Sequence, residues 1–273
     1  MHIKLVALDM DGTLLGADHI HAPPRNIAAL RAASALGVKI VIASGRNADL
    51  IKGAAAEIGV VDYAVCANGA GVVDWRTGEW LEHIGLPSPQ WKTMLDILHA
   101  YGLSAETYAD GGAYVTMADL EGAAGLGFSQ DFIDSYTRTV NVVDDVAAAV
   151  AGMTVEKLHI FYVPPEKKDA LLKELSATGP VVIANAEPTN LELTAPGADK
   201  GRALSRLCAV LGIGPESVMA FGDGDNDLGM LAWAGWSFAM ENGSPNAKKA
   251  AKYQAAPNDQ DGVGKAIEEY LLK

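Results

Sequence analysis

Short apolar blocks separated by polar and helix-like stretches mark the first 70 residues. The apolar blocks occupy residues 3–8, 38–43 and 61–66. Between the first two blocks, Pro23 and Pro24 suit the first turn of a helix and Gly37 suits its end. Short, continuous apolar runs are typical of strands that are buried on both faces. The pattern predicts alternating strands and helices, with a parallel sheet covered on both sides.

The same alternation returns near the carboxyl end. It predicts a helix over about 200–211, the strand SVMAFG, a helix over about 226–233, the strand WSFAM and a final helix over about 261–272. These elements extend the α/β pattern of the amino-terminal part. We therefore expect the two ends of the chain to build one domain, from residues 1–82 and 195–273.

The middle of the chain has a different rhythm, with two paired strands for each helix. The predicted elements are a hairpin around Thr77-Gly78, a helix near 88–101, two strands joined by a turn at 110–112, the strand KLHIFYV, a helix over 165–177, and the strands PVVIA and NLELT. This composition predicts an α+β domain with an antiparallel sheet. We place it at residues 83–194, as an insertion into the first domain.

Composition and charge argue against several kinds of site and partner. Cys66 and Cys208 are far apart and form no C-x-x-C pair, which argues against a disulfide framework or a structural zinc site. The sequence has no apolar run of about 18 residues and no signal-peptide pattern, so we expect a cytoplasmic protein without a membrane partner. A net charge of −13 argues against a nucleic-acid partner, which would require a basic face.

Polar clusters follow three of the predicted core strands. Asp9 and Asp11 follow the first strand, Ser44-Gly45-Arg46 follows the second, and the sequence GDGDND begins where the strand SVMAFG ends. Ligands of open α/β sheets bind beyond the carboxyl ends of the strands, so these clusters are expected to meet. The histidines His19 and His21, further along the first loop, are interpreted as part of a solvated loop.

The residue types in these clusters favour phosphoryl transfer assisted by a divalent cation. Asp9, Asp11 and Asp223 offer hard oxygen ligands, which favour Mg²⁺ over zinc. Ser44, neighbouring N–H groups and a lysine from elsewhere would supply donors to a phosphate. A carboxylate can also attack phosphorus, a role for which Asp9 should be ionised. Asp11 would act as general acid and base, and we expect like-charged neighbours to raise its pKa.

The order DMDGT, Ser44-Gly45-Arg46, Lys200-Gly201 and GDGDND resembles the four motifs of the haloacid dehalogenase (HAD) superfamily. Within it, the chain is most similar to the Cof-type phosphatases with a C2 cap, and the resemblance includes NGA at 68–70 and ELTAPGADKG at 192–201. It implies an α/β, HAD-like Rossmannoid core with a parallel sheet and an inserted α+β cap that carries substrate specificity.

The resemblance also implies roles for individual residues. Asp9 is implied to be the nucleophile, and Asp11 the general acid/base and, through its backbone carbonyl, a metal ligand. Asp223 is implied to be a further metal ligand, supported by Asp227 and Asn226, which also support the lysine. Contacts with the phosphate or substrate are implied for Ser44, Gly45, Arg46, Lys200 and Asn226. Asn68 resembles a further residue near the substrate. The implied cofactor is Mg²⁺.

Three functions remain open at this point. The leading hypothesis is a hydrolase that releases phosphate from a small phosphorylated metabolite, such as a sugar phosphate or phosphoglycolate, through an aspartyl-phosphate. A phosphomannomutase-like phosphosugar mutase would share the core and cap. A noncatalytic phosphometabolite sensor is the alternative from another class, although it would not need Asp9 and Asp11 together. The oligomeric state is expected to be a monomer or homodimer.

Overall fold

The computed structural model describes residues 3–126, 130–184 and 189–273. In chain order, the strands are β1 (Leu5–Leu8), β2 (Lys39–Ala43), β3 (Tyr63–Cys66), β4 (Gly71–Asp74), β5 (Trp80–His83), β6 (Ala105–Ala109), β7 (Gly112–Val115), β8 (Val140–Val142), β9 (Val155–Ile160), β10 (Val182–Ala184), β11 (Leu191–Thr194), β12 (Val218–Gly222), β13 (Trp236–Met240) and β14 (Tyr253–Ala255). The helices are α1 (Pro24–Ala35), α2 (Ala48–Ile58), α3 (Ser88–Ala100), α4 (Met117–Ala124), α5 (Gln130–Thr139), α6 (Val146–Ala149), α7 (Pro165–Ala177), α8 (Lys200–Leu211), α9 (Leu228–Trp233), α10 (Pro245–Ala250) and α11 (Gly262–Tyr270).

Two compact units make up the chain. The core unit contains Met1–Arg46, Ile51–Glu82 and Asp199–Lys273, and the inserted unit contains His83–Ala198 together with Asn47–Leu50. For the long insertion, the chain leaves the core unit at the last residue of β5 and returns to it just before α8.

The core unit is built on a sheet whose strands, within the described residues, follow the order β14-β13-β12-β1-β2-β3-β4-β5. Neighbours from β14 to β3 are parallel, as the apolar pattern predicts. All four residues of β1 are buried, which fits a central strand covered on both faces. The predicted parallel order ends at β4, which is antiparallel to β3. The two strands are joined by a turn of only a few residues, too short for the crossover that parallel neighbours need.

The inserted unit contains a second sheet, with the order β10-β11-β9-β6-β7-β8 in the part of the chain that the structure describes. Its pairs are antiparallel except for β8, which is parallel to β7. Apolar residues of α3 and α7 pack on this sheet, including Trp91, Leu98 and Leu171 against Leu158 and Leu193. The α+β composition predicted for the insertion is therefore present, and the parallel β8 is the difference. The helices α4 and α5 lie between β7 and β8 in the chain, and they supply the longer connection that a parallel pair requires.

None of the described helices combines the length and apolar character needed to cross a bilayer.

The packing of α8 against α9 depends on Gly201. A Cβ at this position would overlap the carbonyl carbon of Gly229 and lie 2.5 Å from the backbone nitrogen of Met230. We expect Gly201→Ala to lower the free energy of unfolding by about 1–3 kcal/mol or more, because two backbones must separate. The measurement is the thermal unfolding midpoint.

A matched control for Gly201→Ala is Gly53→Ala, inside α2. A Cβ at Gly53 meets no heavy atom within 4 Å. There, alanine should stabilise the helix by about 0.5–1 kcal/mol. Equal midpoints for the two variants would contradict the close approach of α8 and α9.

Candidate active site

Three loops meet at the carboxyl ends of adjacent strands in the core unit. In the register of the sheet, Leu8 of β1 lies opposite Phe221 of β12 on one side and Ile42 of β2 on the other. The next residues along the three strands lead directly to Asp9, Ser44 and Asp223. The convergence expected from the sequence follows from this strand order.

Lys200 joins the first of these loops to the start of α8. Its Nζ atom donates to Asp9 Oδ1 at 2.7 Å and to Asp227 Oδ1 at 2.7 Å, and the lysine side chain is fully buried. Burial acts to lower the pKa of Lys200, but the carboxylates of Asp227 and Asp9 outweigh it and raise that pKa. The lysine is therefore charged and compensates two acids that would otherwise be costly to bury.

Asp9 lies at the centre of this arrangement and is 6% exposed. Its backbone N–H donates to the Phe221 carbonyl, which continues the pairing of β1 with β12 beyond the last strand residue. Burial raises the pKa of Asp9, and the carboxylates of Asp227 and Asp223 add to this effect, while Lys200 opposes it. The direction of this shift is opposite to the ordinary pKa that the sequence predicts for Asp9, and its main cause is burial beside two other acids.

Asp223 contacts the loop that follows β1. Its Oδ1 atom accepts a hydrogen bond from Thr13 Oγ1 at 2.8 Å. Gly12 has a φ of +76°, and a Cβ on it would lie 2.8 Å from Asp223 Cγ, so the backbone approaches the carboxyl group directly. Burial and the nearby Asp227 raise the pKa of Asp223 to about 6.

Asp227 has fixed partners for both of its carboxylate oxygens. Oδ1 accepts from Lys200, and Oδ2 accepts the backbone N–H groups of Asp223 and Gly224, each at 2.9 Å. The side chain is completely buried. These bonds hold the GDGDND loop in shape and fix the position of the Lys200 ammonium group.

Asp9, Asp223 and Asp227 form a set of acids that can hold a cation. One carboxylate oxygen from each lies within 4.8 Å of the others. Such hard oxygen donors suit Mg²⁺. Since both Asp227 oxygens already accept hydrogen bonds, Asp9 and Asp223 have more freedom to coordinate an ion.

Asp11 differs from the expectation based on sequence. Arg46 donates to both carboxylate oxygens, at 2.9 Å from Nε and 2.6 Å from the terminal nitrogen, and His19 Nδ1 lies 3.1 Å from Asp11 Oδ1. Burial acts to raise the pKa of Asp11, but the His19 hydrogen bond and the Arg46 charge lower it to about 2. The predicted upward shift is wrong for this conformation, because Asp11 faces two cationic or donor groups instead of the other acids.

The remaining predicted residues lie in or beside the loop that follows β2. Ser44 is buried, its Oγ accepts from the Arg46 backbone N–H at 3.1 Å, and its carbonyl accepts from the Asn68 N–H. Asn226 Nδ2 donates to Asn68 Oδ1 at 3.2 Å, which links the GDGDND loop to the turn after β3. Gly45 lies between Ser44 and Arg46. The structure thus brings this group to the same strand ends as the acids.

Sequence reasoning missed several polar residues that contact these loops. Thr13 follows Asp11 by two residues, so the motif DMDGT itself is the signal that could have found it. The interpretation of His19 as part of a solvated loop omits its contact with Asp11. Asn242 Nδ2 donates to the Gly12 carbonyl at 2.7 Å. No periodicity or spacing signal marks a loop asparagine more than 200 residues from its partner.

A family model described as haloacid dehalogenase-like hydrolase matches residues 6–267. The chain belongs to this family. The match includes most of the core unit, the whole inserted unit and every residue of the candidate site. The resemblance based on the motifs is confirmed.

Relatives and solved structures agree with this family. The chain is 28% identical to the putative phosphatase YxeH of Bacillus subtilis, with 98% of each chain covered. It is 29% identical to the 5-amino-6-(5-phospho-D-ribitylamino)uracil phosphatase YcsE of the same organism, over 99% of this chain and 96% of that protein. A haloacid dehalogenase-like hydrolase from Bacteroides thetaiotaomicron superposes with a TM-score of 0.83 at 28% identity, covering 97% of this chain and 98% of the other. The chain is therefore an enzyme of a hydrolase family, and both of these Bacillus subtilis relatives are named phosphatases.

Proposed function

We propose that the protein is a Mg²⁺-dependent phosphatase that hydrolyses a small phosphorylated metabolite through an aspartyl-phosphate on Asp9. The observation that carries the proposal is the contact set of Asp9, whose buried carboxylate is bonded to Lys200 and lies beside Asp223. A carboxylate oriented by a buried cation at a strand end is placed to attack an incoming phosphorus atom.

In the first step, a carboxylate oxygen of Asp9 forms a bond to phosphorus and the bond from phosphorus to the ester oxygen breaks. Asp11 gives its proton to the leaving alkoxide, so the alcohol departs neutral. Lys200 holds Asp9 in place, and Ser44 is positioned to donate its hydroxyl to a phosphoryl oxygen.

In the second step, a water molecule attacks the aspartyl-phosphate. Asp11 accepts a proton from that water, the bond between phosphorus and the Asp9 oxygen breaks, and inorganic phosphate leaves. The two steps together regenerate Asp9 as a carboxylate and Asp11 as an acid. In the present conformation, Arg46 and His19 favour the anionic form of Asp11. The two hydrogen bonds between the Arg46 guanidinium and the Asp11 carboxylate must therefore break before Asp11 can carry a proton. A bound phosphoryl group is an anion that competes for the same guanidinium.

Asp9, Asp223 and the carbonyl of Asp11 would hold the Mg²⁺ ion. When bound, the ion neutralises charge on the phosphoryl oxygens and favours the anionic form of Asp9. The donor set supports this assignment, since burial and mutual repulsion raise the pKa values of Asp9 and Asp223, and both anions are costly to hold together without a cation.

The inserted unit is proposed to act as the cap that selects the substrate. Support comes from its own sheet and hydrophobic core, which make it a separate folded body, and from its position in the chain between β5 and α8. YcsE is named for a substrate with a phosphorylated sugar-alcohol chain. We propose a phosphate monoester of similar size and polarity as the substrate class.

Metal removal tests the proposal directly. With p-nitrophenyl phosphate as substrate, we expect phosphate release to fall at least about 100-fold on removal of Mg²⁺ by EDTA, because the ion supplies several kcal/mol of charge stabilisation. Excess Mg²⁺ should restore the rate. A panel of phosphorylated metabolites should then include hexose 1- and 6-phosphates. Undiminished turnover in EDTA would contradict metal dependence, and interconversion of the two hexose phosphates without phosphate release would indicate a mutase.

A further inference from the structure

The acid-bearing loops of the core unit are joined by a third segment that takes no part in the proposed chemistry. This segment, residues 242–246, begins two residues after the end of β13 and includes the first two residues of α10. It contacts the loop after β1 and the loop after β12 at the same time. We refer to it as the bridging segment.

Its contact with the loop after β1 is made by Asn242. Asn242 Nδ2 donates to the Gly12 carbonyl at 2.7 Å, and Asn242 Oδ1 accepts the backbone N–H of Asn258 at 3.0 Å. Asn258 Nδ2 in turn donates to the Leu15 carbonyl at 2.9 Å. Two asparagine amides thus attach both ends of the turn at residues 12–15 to loops that follow β13 and β14.

The bridging segment contacts the loop after β12 through Ser244 and Asn246. The Ser244 backbone N–H donates to the Asp223 carbonyl at 2.8 Å. The Asp225 carboxylate accepts from Ser244 Oγ at 2.7 Å and from Asn246 Nδ2 at 3.0 Å. The bridging segment therefore fixes the backbone that carries Asp223.

The backbone of Gly12 lies so close to the Asp223 carboxyl group that the distance between them can hardly become shorter. Gly12 abuts the Asp223 carboxyl group, and Thr13 donates to it at 2.8 Å. A shift of the Gly12 carbonyl would move Thr13 and the backbone that leads back to Asp9. The geometry of Asp223 relative to Asp9 is thus linked to the Asn242 hydrogen bond.

We propose that Asn242 is a positioning residue that sets the distance between Asp9 and Asp223 and thereby the affinity for Mg²⁺. The inference rests on the proposed function, since it assigns these two acids to the ion. Asn242 acts on them through the Gly12 backbone, to which its side chain donates. Residues that orient metal ligands in this indirect way typically change metal affinity about 10- to 100-fold when removed.

The test is Mg²⁺ binding by calorimetry to the full chain, with wild type, Asn242→Ala and Asn242→Ser. Serine retains a polar group but is too short to reach the Gly12 carbonyl, and it replaces alanine if that variant does not fold. We expect the dissociation constant for Mg²⁺ to rise about 10-fold in either variant. At saturating Mg²⁺, kcat with p-nitrophenyl phosphate should recover to within about threefold of wild type, because the reacting groups are intact.

Asn141→Ala is the matched control. Asn141 Nδ2 also donates to one backbone carbonyl, that of Ala113 at 3.1 Å, but it lies in the inserted unit. Its removal should leave Mg²⁺ affinity unchanged. An unchanged dissociation constant in the folded Asn242 variants, or a loss of kcat that saturating Mg²⁺ does not restore, would overturn the inference.

The binding measurement also separates this inference from the proposed function. If wild type binds Mg²⁺ but hydrolyses no phosphate monoester, the proposed function fails, whereas the effect of Asn242 on binding still decides the inference. If wild type binds no Mg²⁺ at all, the positioning role is overturned with the metal assignment.

Discussion

Asp9→Asn is expected to reduce the turnover of p-nitrophenyl phosphate by roughly 10⁴-fold or more while the protein remains folded. The amide cannot attack phosphorus as a carboxylate does, so the aspartyl-phosphate cannot form. The fold should persist, because the amide oxygen can still accept from Lys200 and one of several crowded negative charges is removed. The measurements are steady-state kinetics and the thermal unfolding midpoint.

Asp225→Asn is the matched control for Asp9→Asn. Asp225 lies in the GDGDND loop, but its carboxylate accepts from Ser244 and Asn246 instead of contacting Asp9 or Lys200. At saturating Mg²⁺, where a change in metal affinity through the bridging segment has no effect, we expect it to lose far less activity than Asp9→Asn. Wild-type turnover by Asp9→Asn would show that another group is the nucleophile.

Asp11→Asn provides a second check on the same step. This variant retains the nucleophile but lacks the acid for the leaving group and the base for water. Because p-nitrophenolate departs without a proton, the second step should slow more than the first with p-nitrophenyl phosphate, and the aspartyl-phosphate should accumulate. Mass spectrometry after a rapid acid quench should then locate a phosphoryl group on the peptide that contains Asp9. A modified peptide from elsewhere in the chain would contradict the assignment of Asp9.

Lys200→Met is expected to have the largest effect on stability. The substitution leaves Asp9 and Asp227 buried without their shared cation, and breaking a buried ion pair by removing one partner typically costs about 3–5 kcal/mol. Activity should also be lost, since Asp9 then lacks the ammonium group that holds its Oδ1 atom. Lys265→Met, at an exposed position of α11, is the control and should change stability by no more than about 0.5 kcal/mol.

The destabilisation by Lys200→Met should depend on pH. An acid whose pKa is higher in the folded state than in the unfolded chain favours folding at low pH and loses that contribution as pH rises through the folded pKa. Asp223 already has its pKa raised from 3.8 to about 6, and removal of the lysine charge would raise it further. The difference in unfolding midpoint between variant and wild type should therefore be larger at pH 7.5 than at pH 5. A difference independent of pH would indicate that lost packing, and not unpaired charge, is the cause.

The part of the candidate site that can be predicted from the sequence consists of the residues that directly follow neighbouring parallel strands. Asp9, Ser44 and Asp223 follow short apolar runs, and side chains that follow neighbouring parallel strands meet at one edge of the sheet. Lys200 is identifiable by its place before a helix and by the motif resemblance. Its complete burial between two acids could not be predicted from the sequence, where a lysine is most often exposed.

Other features depend on tertiary contacts that leave no local pattern. The bidentate pair of Arg46 with Asp11 reverses the expected pKa shift of Asp11, and it arises from the packing of two loops. The short strands β8 and β14 have three residues each, and α6 has four, so periodicity over such lengths is not informative. The helices α4 and α5 are not predicted either, although Thr116 and Asp119 form a capping box at the start of α4. Their presence between β7 and β8 allows the parallel pairing of β8.

The position of β1 in the sheet has a consequence for how the enzyme is made. One edge of β1 is paired only by β12, where Leu5 lies opposite Val218. At a synthesis rate of about 5–20 residues per second, β1 leaves the ribosome about 10–40 s before β12 is complete. The inserted unit is translated within that interval, while the fully apolar strand β1 still has an open hydrogen-bonding edge. The nascent chain must therefore protect β1 from pairing with other chains until β12 (Val218–Gly222) has been translated.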